Sequence, residues 1–254
     1  MTRFVPFEIS YKTAERLSQV NTILFYLSGA LSIAIIIVGH SEIDKNQILK
    51  WLNGSNCFLA IIYFAIDLVS GYLFQAAELK RRHDFIDNSL ATQLSEANSA
   101  NYFSNDNILP GIRKLGINCF ENSFFSKNIA GKMLLGETVK TAIIWSLALV
   151  AVLTTDNETV AAILQMALPF TVLQQMIKLI TYYHRINRVF EQFQHIFSST
   201  ASERQSDLII NNVINYESTI SWAGIVLSTP IFQKHNVEWS QLWDKIKAKY
   251  NLTQ

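Results

Sequence analysis

The stretch NCFLAIIYFAIDLVSGYLF, residues 56–74, runs without a break into QAAELKRRHDFIDN, residues 75–88. The first part has the length and apolarity of a bilayer crossing, which takes about 20 helical residues. The second contains no Pro or Gly and turns abruptly to charge at Lys80, Arg81, Arg82, His83 and Asp84. One helix is therefore predicted to leave a membrane and carry this cluster into water as a stem. Near the middle of the span sits one acid, Asp67. An acid at that depth costs at least ~2.5 kcal/mol, so it must face a partner, another subunit or water. It reads either as a pore-lining or gating group, or as a neutral acid hydrogen-bonded within the bundle, for example to Gln174 or Gln175.

Working outward, the same signal recurs. Half of the 254 residues are hydrophobic and only 16% are charged, against about 25% in soluble domains. Nearly uncharged runs occupy 17–41, 51–77, 141–155 and 159–183. The segments LSIAIIIV (31–38) and IIWSLALVAVL (143–153) are apolar all round, unlike the one-sided core helices of a soluble protein. The predicted fold is all-α: a four-transmembrane-helix membrane protein whose long helices extend into a helical cytoplasmic region. The spans are expected at about 21–38, 56–76, 139–155 and 159–183. They are flanked by an N-terminal segment (1–20), an insert (78–138) and a C-terminal helical region (184–254).

Of the 21 Lys and Arg residues, only Lys45 and Lys50 lie between the first two spans, and none lies in TTDNE (154–158) between the last two. The positive-inside rule then places both termini and the insert in the cytoplasm. Four spans satisfy this, whereas three or five would strand a basic segment outside. The first span lacks a small-residue cleavage site and reads as retained. In span one, Gly29, Ala30, Ser32 and Ala34 are expected to admit a close neighbour helix. Cys57 and Cys119 fall on opposite sides of the membrane, so no disulfide joins them, and no Cys/His spacing suits zinc.

The insert is rich in asparagine, with Asn88, Asn98, Asn101, Asn105, Asn107, Asn118, Asn122 and Asn128. It also holds Phe85, Tyr102, Phe103, Phe120, Phe124 and Phe125, interleaved with Arg113, Lys114, Lys127 and Lys132. Amide and guanidinium donors with aromatic platforms suit a nucleotide or single-stranded oligonucleotide. The plainer alternative is a helical hairpin whose aromatics form its own core. The stem helix is expected to reach about Glu96 and a second helix to cover 112–136, with the breaker Pro110-Gly111 between. Catalysis has little support: the five histidines lack metal spacing and no serine sits in a nucleophile elbow. Arg81 and Asp84, three apart, are predicted to form a salt bridge. No enzyme activity, cofactor or metal is expected.

Span four carries Gln165, Gln174, Gln175 and Lys178, with Pro169 expected to kink it. It continues as a second stem to about Ser198. Two closing helices are expected, 203–227 and one that starts at Thr229-Pro230 as N-cap and N1 proline, or restarts at Asn236, and ends near Tyr250. With no linker in view, the chain reads as one integrated unit.

Two spans, a charged stem (AAELKRRHDFIDNSL, 76–90), a helical insert, two more spans and a C-terminal helix opening Thr-Pro-Ile-Phe resemble the bacterial four-transmembrane effectors of anti-phage systems. These are encoded beside nucleotidyltransferases of the cyclic-oligonucleotide or Hailong type. Against that family's AA-x-IQ-x-x-FD stem, Ala76, Ala77 and Asp84 fall in register, Leu79 replaces isoleucine, and Lys80 and His83 depart. The resemblance implies an oligomeric pore, a tetramer, in the bacterial inner membrane. It would depolarise the cell under control of a nucleotide or oligonucleotide made by the partner nucleotidyltransferase, with no role for duplex DNA. Asp67, Gln165, Gln174, Gln175 and Lys178 are then the candidate pore or gating residues. Arg81, Arg82, His83, Arg113, Lys114 and Asn118 are the candidate ligand-binding residues. The competing reading is a non-conducting membrane anchor that recruits a soluble partner.

Overall fold

The computed structural model describes residues 4–39, 46–100, 102–105, 107–154, 159–199 and 204–252, without the side chains of 36, 147, 150–154 and 159–169. Among these residues the protein is all-helical: α1 (Glu8–Gly39), α2 (Asn46–Leu90), α3 (Ile112–Thr154), α4 (Thr159–Ser198), α5 (Gln205–Ala223) and α6 (Thr229–Lys249). The predicted spans and stems merge into four long helices, because neither Pro nor a capping residue interrupts the passage from apolar to charged sequence. Two of these, α1 and α2, are long and apolar enough to cross a membrane, and only 12% and 11% of their most apolar windows is buried. A core helix of a soluble protein would be mostly covered.

The chain divides into two compact units, where the absence of a linker had predicted one. The apolar unit comprises Lys12–Leu73 and Gly136–Ile177; the stem unit comprises Met1–Tyr11, Phe74–Leu135 and Lys178–Gln254. The divisions fall inside continuous helices, so no Pro/Gly-rich segment announces them.

In the apolar unit α1 and α2 form an antiparallel pair. The α1 residues Ala14, Asn21, Phe25 and Ser28 are buried, and Ala14, Asn21 and Ser28 recur every seven residues, the repeat of a coiled-coil seam. Polar ties mark its length. Ser70 Oγ donates to the Ala14 carbonyl at 3.4 Å, Ser28 Oγ to Asn56 Oδ1 at 2.6 Å, and Asn56 Nδ2 to Ser32 Oγ at 3.2 Å. The small residues of span one thus divide: Ser28 and Ser32 meet α2, whereas a Cβ on Gly29 would meet nothing within 4 Å. Helices α3 and α4 contact edge-on at Trp145 and Phe170, ring centroids 5.3 Å apart.

The stem unit is a helical packing around Phe120, whose ring meets Phe190, Phe193, Phe197, Trp243 and Tyr250. The insert's aromatics Phe85, Phe103, Phe120 and Phe124 are all buried. They form a core, as in the plainer of the two expectations, but Phe120 and Phe124 share it with α4 and α6 rather than closing it within the hairpin. Helix α2 ends at Leu90, short of Glu96, because Ala91 turns left-handed (φ 56°) and Asp87 takes up the donors that follow. Residues Phe4 and Ala100 exchange backbone hydrogen bonds at 3.0 Å, which pins the N-terminal segment to the insert loop. The N-cap of α6 is Ser228, accepting from Ile231 N–H at 3.4 Å, so it lies one residue before the expected Thr229.

Candidate functional site

Asp67 has a partner on α1. Asn21 Nδ2 donates to Asp67 Oδ1 at 3.2 Å, which replaces the expected bond to Gln174 or Gln175. One turn earlier on α2, the Tyr63 hydroxyl accepts from Gln175 Nε2 of α4 at 3.4 Å. Asn21, Tyr63, Asp67 and Gln175 thus form a polar layer linking three apolar helices. Asn21 is 7% exposed and its Oδ1 is buried with no hydrogen-bond partner among the described residues. Asp67 itself is exposed, as are Gln174 and Gln175, and it is flanked by exposed Phe64, Leu68 and Val69. The carboxylate therefore opens onto the surface of its own chain. Lys178 is half-buried at the start of the stem unit's part of α4. The Gln165 side chain lies outside the described residues.

The basic stem is arranged differently from its expected role. Arg81 Nε meets Glu78 Oε2 at 2.8 Å and its Nη2 meets Glu217 Oε2 of α5 at 2.6 Å, with all three side chains largely buried. Arg82 shares the same Glu217 oxygen at 3.1 Å and donates to Ser221 Oγ at 2.8 Å. The Tyr11 hydroxyl donates to Glu78. Burial alone would disfavour the Arg81 charge, but Glu78 and Glu217 outweigh it and hold its pKa above the ordinary value. The predicted Arg81–Asp84 pair is absent: Asp84 instead accepts from the backbone N–H and Oγ of Ser99 at 2.6 and 2.7 Å. Both Asp84 and Asp87 fasten the loop after α2.

Asn118, expected to bind a ligand, is 0% exposed and joins a buried amide network. It accepts from Asn105 at 2.9 Å and donates to Asn88 Oδ1 and Ser89 Oγ at 2.9 and 3.0 Å. Asn105 donates also to Glu121 at 2.7 Å. Three of the insert's asparagines, Asn88, Asn105 and Asn118, thus serve an internal network rather than a ligand. Of the remaining candidates, Lys114 is buried, His83 is half-buried and Arg113 is exposed. Arg113 donates to the Asn251 carbonyl at 3.2 Å and lines a cavity of about 710 Å³ with Asn107, Ile108, Pro110 and Ser206.

Sequence reasoning missed Asn21, Glu78 and Glu217. Asn21 had a readable signal, a polar residue seven positions from small Ala14 and Ser28 in an otherwise apolar helix. Glu217, by contrast, lies 136 residues from Arg81, and no local spacing could join them. No family model, curated protein or solved structure matches the chain.

Proposed function

We propose that the chain is the membrane-perforating effector of a bacterial anti-phage system. Four spans cross the inner membrane, with both termini and the stem unit in the cytoplasm. Four copies surround an ion pathway, opened or closed by a nucleotide or oligonucleotide from a partner nucleotidyltransferase, and conduction depolarises the cell and arrests growth. The observation that carries this reading is the exposed Asp67 on a helix whose apolar window is only 11% buried. A carboxylate has no stable place against lipid, so a second copy and water supply its surroundings. Four helices per copy cannot enclose a wide pore and still satisfy their own packing, hence the oligomer.

The anchor reading is favoured by one specific observation. Arg81, Arg82 and Asn118 are committed to internal partners and Lys114 is buried, which leaves Arg113 as the exposed cation among the candidates for a ligand. Membrane potential, read by dye fluorescence at graded expression of the chain with and without its partner enzyme, separates the two. A pore depolarises the cells in one of these conditions; an anchor leaves the potential intact in both. Native mass spectrometry from detergent tests the tetramer.

A further inference from the structure

We infer that the ion pathway is cation-selective and that Asp67, supported by Asn21, is the group that selects; this rests on the pore reading above. Within the apolar runs 17–41, 51–77, 141–155 and 159–183, the only Asp, Glu, Lys or Arg residues are Asp67, near the middle of its run, and Lys178, near the end of the last. Each copy therefore places one carboxylate mid-run, while its one cation in these runs, Lys178, stands near the end of the last, where the stem unit's part of α4 begins. The chain satisfies this carboxylate only in part. One oxygen receives the Asn21 amide at 3.2 Å, and the residue remains exposed. Around an axis, copies of Asp67 repel one another unless mobile cations lie between them, the arrangement by which acidic rings select cations.

Asn21 adds a second, independent feature. Its carboxamide is buried, its NH2 end is used on Asp67, and its oxygen has no partner among the described residues. Half a turn of the amide presents that oxygen beside the carboxylate, giving two hard oxygen ligands of the kind that suit an alkali cation. The Tyr63 hydroxyl, held by Gln175, is a further oxygen one turn away. In this arrangement a passing potassium or sodium ion replaces the Asn21 hydrogen bond as the partner of Asp67.

The test is the reversal potential of purified protein in planar bilayers under a potassium chloride gradient. Wild type is expected to reverse near the potassium equilibrium potential. Asp67→Asn keeps the oxygen that Asn21 bonds and should shift the reversal potential toward zero, while Asp67→Glu restores it. Reversal near the chloride potential in wild type, or an unchanged value in Asp67→Asn, overturns the inference and leaves the pore reading standing. Where wild type passes no current, thermal melting in potassium against choline chloride decides. A higher Tm in potassium for wild type, absent in Asp67→Asn, supports the cation site even if the pore reading fails; equal values overturn it.

Discussion

Arg81 brings a full charge into the interior of the stem unit and meets two carboxylates there, Glu78 and Glu217. Removing the cation strands Glu78 in a buried position, so Arg81→Met should lose about 3–5 kcal/mol of stability, read by thermal unfolding of the stem unit's tryptophan fluorescence in detergent. Replacing Glu78, Arg81 and Glu217 together by apolar residues should cost far less, since a buried ion pair offers little net stability over good packing. Asp87 makes a different prediction, in pH. Burial raises its pKa, but hydrogen bonds from Ser95, Thr92 and the Leu94 and Ser95 amides outweigh it and bring the carboxyl from 3.8 to about 2. A carboxyl lowered on folding stabilises above its unfolded value and loses that contribution as pH falls through the folded one. Protection of the Leu94 and Ser95 amides from hydrogen exchange should therefore collapse between pH 4 and 2, and Asp87→Ala should abolish it at neutral pH. These roles were only half legible in the sequence. The charge cluster was plain, but its partners lie on α5 and in a loop, and Arg81 beside Asp84 looked like a local pair that tertiary packing overrode.

The helices meet closely at chosen points, and Gly116 is one of them. A Cβ there would come within 2.8 Å of Ile209 Cγ2 on α5. That carbon sits on a stiff β-branched stem and yields poorly. Gly116→Ala should thus cost about 1–3 kcal/mol by overpacking, more than offsetting any gain in helix propensity. Ile209→Ala alone removes core packing; combined with Gly116→Ala the losses should be clearly less than additive in a double-mutant cycle. At this scale helix number and order were legible, because apolar runs and breakers such as Pro110-Gly111 declare themselves locally. The ends were less so. The α2 terminus depends on Asp87 reaching forward to Thr92, Leu94 and Ser95, and a helix-forming sequence up to Glu96 hides that competition. The start of α6 moved by one residue because Ser228, rather than Thr229, turns its hydroxyl onto the Ile231 amide.

At the scale of the whole molecule, the division between apolar and charged sequence decides which surfaces need covering. Phe58, Ile61, Phe64, Leu68 and Tyr72 on α2 and Ile23, Leu27, Ile33 and Ile37 on α1 are exposed, all on helices long enough to span a bilayer. Such a continuous apolar surface is stable only against lipid or other apolar chains. Hydropathy made this legible from the sequence, whereas the Asn21–Asp67 contact, formed across 46 residues, required the fold. The two cysteines turn the proposed topology into a measurement. Cys57 is exposed in the apolar unit, at the end of the second span that the proposal places outside, and Cys119 is buried in the stem unit. The Cys119 thiol also has its pKa pushed up by burial first and then by Glu217, so it is the less reactive of the two. A membrane-impermeant maleimide applied to spheroplasts should therefore label the chain through Cys57, and Cys57→Ser should remove the label. Inverted vesicles should remain unlabelled until denaturant exposes Cys119. Labelling in inverted vesicles but not in spheroplasts would reverse the orientation, placing the stem unit outside the cell and out of reach of any ligand made in the cytoplasm. The gating half of the proposal would then fall, while the requirement that lipid or a second copy cover α1 and α2 would stand unchanged.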